Sequence, residues 1–433
     1  MGDDRIAEVL GWEALDSRGT PTVACEVRLT SGAAGTAIVP SGASTGSHEA
    51  HELRDGGARY GGRGVQQAVA AVQHTLGPVL TGRRAADQAA VDAALREVDG
   101  TADLSTVGGN AVLAVSIAVA RAAAGSAGLP LWRYLCGDLD GSASPLLPMP
   151  MVNIISGGAH AGGLIDIQDV LVIPVGARRF CEAIEWTWRV RAATAELAGE
   201  RGFSPYLVAD EGGLAFPLES NEAALELACA GIERAGLRPG DDVAIAVDIA
   251  ANELLVENGY WLRTERRVLT SAELVELVSK WADSYPLVSV EDPCAEDDWP
   301  GWQEASRRLG SRLQLLGDDL FVTHSDRLRR GIELGVANAV LVKPNQNGTL
   351  TGAQRVVEEA SAAAYATVVS ARSGDTEDSW LADLAVGWRA GQIKVGSLTR
   401  SERLAKWNRL LQIEAEYGNR AHFAGREVLT PRR

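Results

Sequence analysis

Lysine is scarce in this chain, and the scarcity is informative. Of the 41 basic residues only four are lysines, at positions Lys280, Lys343, Lys394 and Lys406. Arginine fills almost every other position that needs a positive charge, although it cannot lose its proton near neutral pH. A lysine in this sequence is therefore a candidate for a role that arginine cannot perform, such as that of a base.

Other shortages exclude several classes of protein. The five cysteines are scattered and form no CxxC pair, which argues against a disulfide framework. A net charge of -16 disfavours nucleic acid or an anionic membrane as a partner, but not a small anionic substrate. The first residues lack a secretory signal, and the richest apolar run, AVLAVSIAVARAAAG, is cut by Arg121 and is too short to span a bilayer. We expect a cytoplasmic protein.

The length of 433 residues predicts two domains, because it exceeds the size at which one core stops growing. In residues 1–140, the β-type segments PTVACEVRLT and AAGTAIVP precede apolar residues at helical spacing, which indicates a small α+β domain. In residues 141–433, after the proline-spaced linker SPLLPMPMVN, short apolar strands alternate with amphipathic helices. Such alternation predicts a parallel sheet with crossover helices, and its length favours a closed β/α (TIM-like) barrel over an open sheet. The predicted class is α/β.

A charged residue stands at the end of each later strand of the second domain. The residues are Asp248, Glu291, Asp318, Lys343, Arg372 and Lys394. In a barrel these ends converge on one mouth, where active sites lie. A single such residue would only mark where a strand leaves the core for solvent, whereas six in succession indicate a site.

These side chains form a coherent chemical set. Asp248, Glu291 and Asp318 offer oxygen ligands suited to Mg²⁺. Lys343 and Lys394 follow on the next strands, and a divalent cation nearby would lower the pKa of a lysine until it acts as a base near neutral pH. The motif LVADEGG places Glu211 at a strand-to-loop junction on the opposite side. The set suggests proton abstraction beside a metal-bound carboxylate, followed by loss of a leaving group.

Longer motifs resemble those of the enolase (phosphopyruvate hydratase) family over nearly the whole chain. They are ALDSRGTPTV, VPSGASTG, GGNAVLAVS, GGAHAGG, ADEGG, VSVEDP, GDDL, LVKPNQNGTLT, RSGDTED and SERLAKWNRLLQIE. The resemblance implies a homodimer or higher homo-oligomer with two Mg²⁺ ions per active site. It also implies dehydration of 2-phosphoglycerate or a close analogue through an enediolate, the lysine-base chemistry of that superfamily.

The resemblance assigns a role to each residue on the metal side of the site. Asp248, Glu291 and Asp318 would hold the first Mg²⁺ and the substrate carboxylate. Ser44, in the loop SGASTG, would help to bind the second Mg²⁺. Lys343 would then take the C2 proton.

On the other side, the implied roles concern the substrate and the leaving group. Lys394 would pair with the substrate carboxylate, and Glu211 would protonate the departing C3 hydroxyl. Arg372 and Ser373 would hold the phosphate, for which the guanidinium fork is well shaped. His160, in GGAHAGG, would lie on a second loop near the phosphate.

Several positions depart from the family pattern. The family's SHRSGET reads SARSGDT, so Ala371 replaces a histidine near the leaving group, and Asp375 replaces a glutamate. The family's QEF reads QDV, so the shorter Asp169 replaces a glutamate that works beside Glu211. Ser156 and Ala159 further alter the loop around His160. Several of these changes remove volume on one side of the substrate.

Three interpretations stay open. The protein is an ordinary enolase with a reduced rate, a paralogue acting on a bulkier phosphonate analogue, or a non-catalytic enolase-like binding protein. The second would perform carboxyphosphonoenolpyruvate-type chemistry in phosphonate natural-product biosynthesis. Retention of Lys343 and Lys394 in a lysine-poor chain weighs against the third interpretation. The clustering of the volume-reducing changes favours the second over drift.

Overall fold

The computed structural model describes residues 4–42, 46–138 and 142–429. The chain begins with a three-stranded antiparallel sheet of β1 (Ile6–Leu15), β2 (Pro21–Leu29) and β3 (Ala34–Ile38). Five α-helices follow in the described part of this region, with a π-helical turn at Val72–Leu76: α1 (Gln66–Ala71), α2 (Gly77–Leu80), α3 (Gln88–Asp99), α4 (Gly109–Ser126) and α5 (Leu131–Leu135). The predicted α+β character of this region is confirmed.

Helix α4 is the core element of the N-terminal region. It is apolar on nearly every face, as expected for a helix enclosed on all sides. It packs closely on β3, because a Cβ atom on Gly35 would lie only 2.3 Å from the carbonyl oxygen of Ala118. By length and composition α4 is able to cross a membrane, but 83% of it is buried inside the protein. Burial therefore identifies α4 as a core helix. The expectation from the sequence, that the apolar run is too short to span a bilayer, does not apply to the helix of 18 residues that forms.

The rest of the chain forms a closed barrel of eight strands. The strands from here onward are β4 (Leu146–Leu147), β5 (Met149–Ser156), β6 (Asp169–Ile173), β7 (Ala244–Asp248), β8 (Leu255–Val256), β9 (Gly259–Leu262), β10 (Arg267–Leu269), β11 (Leu287–Glu291), β12 (Gln314–Gly317), β13 (Ala339–Val342), β14 (Ala366–Ser370), β15 (Gly391–Gly396) and β16 (His422–Phe423). The barrel closes in the order β11-β12-β13-β14-β15-β5-β6-β7. The predicted TIM-like barrel is confirmed.

Helices cover the outside of this barrel. They are α6 (Phe180–Glu200), α7 (Asn221–Arg234), α8 (Ser271–Ser284), α9 (Trp299–Leu309), α10 (Ser325–Leu334), α11 (Pro344–Asn347), α12 (Leu350–Ala362), α13 (Trp380–Gly387) and α14 (Ser401–Tyr417). Strands β8, β9 and β10 form a small antiparallel sheet outside the barrel.

Two expectations about the start of the barrel were wrong. Strand β6 runs antiparallel to both β5 and β7, so the sheet is not wholly parallel. The chain between β5 and β6 is a loop with a 3-10 turn at Gly158–Ala161, and without a crossover helix the returning strand must run antiparallel. The predicted linker SPLLPMPMVN contains β4 and half of β5. Pro150 lies opposite Ile393 of β15 on one side of β5, and on the other side it precedes the β5–β6 ladder, which starts at Val152.

Candidate active site at the barrel mouth

The charged residues predicted from the strand ends gather at one end of the barrel. Asp248 and Glu291 are the last residues of β7 and β11 and lie side by side in the register. Asp318 directly follows β12, and Lys343 directly follows β13. Lys394 lies inside β15, two residues before its end. Five of the eight barrel strands therefore contribute one side chain each to the mouth.

Lys394 bridges two of the carboxylates. Its Nζ atom donates hydrogen bonds of 2.7 Å to Asp248 Oδ2 and 2.7 Å to Glu291 Oε2, and all three residues are buried. Burial opposes the ammonium charge, but the two carboxylates outweigh burial and hold the pKa of Lys394 well above its usual value. The structure therefore presents Lys394 as a fixed cation rather than as a base.

Lys343 stands beside the third carboxylate. Its Nζ donates to Asp318 Oδ2, and its backbone N–H donates to Thr323 Oγ1 at 2.9 Å. Asp318 Oδ1 accepts a further hydrogen bond of 2.9 Å from Gln346 Nε2. Burial disfavours the charge of Lys343, but Asp318 overcomes it, and the pKa is raised. This direction is opposite to the sequence-based expectation, which needs a divalent cation to offset the carboxylates.

Strained backbone surrounds this part of the mouth. Val322 and Thr323 adopt φ values of 42° and 54°, and Asp292 adopts 39°. Left-handed conformations are rare for β-branched residues and concentrate at functional sites. The buried carboxylate of Asp292 accepts the N–H groups of Asp318 at 3.0 Å and of Asp319 at 2.8 Å. Asp292, which the sequence interpretation missed, therefore orients the loop that carries Asp318.

The carboxylates suit Mg²⁺ by their chemistry. Glu291 Oε1 is buried without a hydrogen-bond partner in the described part of the chain, so a bound cation would satisfy it. Burial and the neighbouring Asp248 raise the pKa of Glu291 well above its usual value, which a cation would relieve. Among the described residues, however, Asp318 groups within 4.8 Å with Asp292 and Asp319. Ser44, predicted to bind a second Mg²⁺, lies outside the described residues.

Glu211 reaches the mouth from a tight turn between α6 and α7. The expected strand is reduced to a single bridge between Val208 and Leu214. The next residue, Gly212, adopts a φ of 81°, and a Cβ atom there would lie 2.5 Å from Thr399 Oγ1. The turn therefore needs glycine after Glu211, which explains the EGG sequence.

His160 lies between two carboxylates on this side of the mouth. Its Nδ1 is 3.2 Å from Asp169 Oδ2, and its Nε2 is 3.9 Å from Glu211 Oε1. Asn153 Nδ2 and Ser156 Oγ both donate to Asp169 Oδ1, the latter at 3.1 Å. Burial lowers the pKa of the imidazole, but the two carboxylates outweigh it and raise the pKa to about 9. His160 is thus an imidazolium at neutral pH.

Arg372 follows β14 and is already paired. Its Nη1 lies 2.8 Å from Glu49 Oε2 and its Nη2 lies 3.2 Å from Glu49 Oε1. Glu49 belongs to the N-terminal region, and the sequence interpretation missed it. Ala371 is buried and donates its N–H to the Lys394 carbonyl at 2.9 Å. The guanidinium group that was predicted to bind phosphate therefore lies at the mouth, next to β15. In the structure it is paired with the carboxylate of Glu49.

Helix α14 supports the loop that carries Arg372 and Ser373. The fully buried Arg403 donates to the carbonyl oxygens of Arg372 at 2.7 Å, Ser373 at 2.5 Å and Val395 at 2.9 Å. Lys406, one turn further along α14, donates to Asp375 Oδ1 at 2.7 Å in the same loop. Arg403 and Lys406 therefore hold this loop from one face of α14, a role that the sequence interpretation assigned to neither residue.

A closed β/α barrel that gathers carboxylates, lysines and an arginine at the carboxyl ends of its strands has the arrangement of a barrel enzyme, whose active site lies at that end. A model of the enolase N-terminal domain matches residues 6–135, and a model of the enolase C-terminal TIM barrel domain matches residues 144–432. The chain belongs to the enolase family. This membership supports lyase chemistry at the mouth.

Proposed function

We propose that this protein is a Mg²⁺-dependent hydro-lyase acting on a small phospho- or phosphono-acid. It removes a proton from the carbon beside the substrate carboxylate and expels the hydroxyl of the next carbon, giving an enolpyruvate-type product. 2-Phosphoglycerate is the first candidate substrate. The observation that carries the proposal is the interleaving of Lys343 and Lys394 with three carboxylates at one barrel mouth.

The residues divide the reaction between them. Asp248, Glu291 and Asp318 would hold Mg²⁺, which when bound supplies the positive charge that makes the carbon-bound hydrogen acidic. The Nζ atom of Lys343, freed of its proton, accepts the hydrogen from C2. The charged Lys394 pairs with the substrate carboxylate, on which negative charge develops as the proton leaves.

The opposite wall supplies the second proton. A protonated Glu211 donates to the C3 hydroxyl, which leaves with that proton as water, so one proton is taken and one is given. Asp169 fixes His160 at one ring nitrogen, and the other ring nitrogen faces Glu211 at 3.9 Å. His160 therefore orients the acid and balances its charge after proton transfer.

A direct assay tests this proposal. The purified protein is incubated with 2-phosphoglycerate and Mg²⁺, and the enolpyruvate product is followed by its ultraviolet absorbance. Turnover should stop on chelation of the metal and return on its replacement, and Lys343→Ala should be inactive. Full turnover by Lys343→Ala would refute the assignment of the base. Absence of turnover together with weak Mg²⁺ binding would favour the binding-protein alternative.

A second candidate substrate is a bulkier phosphonate analogue. It is supported by the small side chains of Ala371, beside Arg372, and of Asp169, beside Glu211, where the family has longer ones. A higher kcat/KM for a carboxyphosphonate-type substrate than for 2-phosphoglycerate would establish it. We also propose a cytoplasmic homodimer or higher homo-oligomer without nucleic-acid or membrane partners, and light scattering of the purified protein tests the oligomeric state.

A further inference from the structure

The ion pair between Glu49 and Arg372 affects which anions can bind at the barrel mouth. We propose that Glu49 is an internal competitor for the anion site, which only strongly bound anions displace, so that doubly charged tetrahedral groups bind measurably and singly charged ones do not. The proposal rests on the proposed function in so far as Arg372 receives the substrate's phosphate or phosphonate. It adds Glu49, which belongs to the N-terminal domain, to the residues that determine which anions bind.

The geometry of the pair supports direct competition. Both guanidinium Nη atoms face both carboxylate oxygens, at 2.8 Å and 3.2 Å. The side chains are only 3% and 8% exposed, so the pair is largely removed from water. This two-point fork is the arrangement that arginine uses for phosphate oxygens. An incoming anion therefore cannot use the fork of Arg372 until Glu49 leaves it.

Glu49 is held at the mouth by a network that reaches the proposed metal ligands. Its Oε1 accepts from Gly46 N at 3.0 Å and from Gln346 Nε2 at 3.4 Å. The same amide nitrogen of Gln346 donates to Asp318 Oδ1 at 2.9 Å. Glu49 is therefore linked through one side chain to Asp318, so its position is coupled to the carboxylate side of the mouth.

The carboxylate has space into which it can move. A cleft of about 350 Å³ adjoins the pair and is bordered by Glu49, Arg372, Gly42, Ser47 and Asn345. It opens between the N-terminal region and the barrel mouth, so displacement of Glu49 needs no rearrangement of the barrel strands.

Charge explains the selectivity. A singly charged anion would replace one negative charge on Arg372 with another and would gain little for displacing a tethered carboxylate. A doubly charged phosphonate brings more charge, so it binds Arg372 strongly enough to overcome the competitor. The competition lowers the apparent affinity for every anion by the same factor, which is set by the fraction of molecules in which Glu49 holds the fork. Removal of the Glu49 carboxylate should therefore raise both affinities by that factor, which brings the weaker anion into the measurable range.

The test uses two probes of the same shape and different charge. Methylphosphonate is doubly charged at mildly alkaline pH, whereas methanesulfonate is singly charged, and calorimetric titration measures the binding of each to the full-length protein. The wild-type protein should bind methylphosphonate and not methanesulfonate. Glu49→Gln should bind methylphosphonate about tenfold more tightly and should gain measurable binding of methanesulfonate. Glu49→Ala, which cannot place an amide oxygen in the fork, should behave in the same way.

Two further variants locate the effect. Arg372→Gln should abolish binding of both probes. Glu13→Gln is the matched control, because Glu13 forms a forked pair with Arg59 in the same domain, with Oε2 2.7 Å from Nη1, and it should leave both affinities unchanged. In Glu49→Gln, methylphosphonate should also raise the melting temperature more than in the wild type, since it binds the buried guanidinium without first displacing a carboxylate.

Unchanged affinities in both Glu49 variants, or no methylphosphonate binding by any of these proteins, would overturn the proposal. The binding experiment needs no turnover, so its outcome is separate from that of the dehydration assay. Tighter anion binding in Glu49→Gln with no dehydration of any substrate would refute the proposed function alone. Dehydration with unchanged anion affinities would refute the role of Glu49 alone.

Discussion

The two walls of the barrel mouth differ in how they are built. On one wall, Asp248, Glu291 and Lys394 are fixed by barrel strands and bond directly to one another. On the other wall, His160 and Glu211 sit in a loop and a turn. Three of the departures from the family pattern lie around His160: Ala159 in the same loop, and Ser156 and Asp169 at the ends of β5 and β6 that flank it. The metal-and-base chemistry is thus kept on the rigid wall, and the fit to the leaving group varies on the other.

The largest effect is expected from removing the base while its charge is kept. Lys343→Arg preserves a cation beside Asp318, but arginine cannot lose its proton near neutral pH, so kcat should fall by roughly 10²–10⁴-fold. The assay is Mg²⁺-dependent dehydration of the preferred substrate. Lys280→Arg is the matched control, because Lys280 lies exposed on α8 with 69% of its side chain accessible, and its replacement should leave the rate unchanged. A Lys343→Arg enzyme of normal rate would place the base elsewhere.

A smaller effect, in the opposite direction, is expected at the two positions where the side chain is shorter than in the family. Ala371→His combined with Asp169→Glu restores the family residues there and should raise kcat/KM for 2-phosphoglycerate by up to about 10²-fold, because an imidazole near the leaving group assists proton transfer. The same change should lower kcat/KM for a bulkier phosphonate analogue by filling its space. The two single variants provide the comparison.

If the double variant gains nothing on 2-phosphoglycerate, more than these two positions have been remodelled. Asp169 itself shows why this outcome is physically reasonable. It is fully buried and its Oδ1 already accepts from Asn153 and Ser156, so a longer side chain needs these neighbours to adjust.

The sequence predicted the elements whose signals are local. The alternation of short strands with amphipathic helices is one such signal, and the start of helix α8 carries another, a capping box between Thr270 and Glu273. The charged residues at the strand ends were predictable, because the carboxyl ends of barrel strands meet at one mouth. The reversal of β6 was not, since it depends on whether residues 157–168 fold into a helix. Nor was the Glu49–Arg372 pair, whose partners are 323 residues apart in the chain.

The pKa of Lys343 depends on information of a different kind. The motif identifies the lysine, but its pKa depends on which charges lie nearest in space. Asp318 outweighs burial in the structure and raises the pKa. Sequence spacing alone contains no distances between charges, so it cannot decide between a lowered and a raised pKa.

The smallest expected effect concerns the charge of His160 on the variable wall. The pKa of its imidazole is raised from 6.5 to about 9, because Asp169 and Glu211, with Asp248 further away, outweigh burial. A group whose pKa is higher in the folded than in the unfolded chain stabilises the fold fully below its unfolded pKa. That stabilisation is lost as the pH rises through the folded pKa. The free energy of unfolding, measured by urea titration, should therefore fall from neutral pH to above pH 9 more steeply in the wild type than in His160→Gln. His422→Gln, at an exposed position, should keep the wild-type slope. Equal slopes in the wild type and His160→Gln would mean that His160 is neutral between its two carboxylates, and the variable wall would then lack the cation on which its proposed role depends.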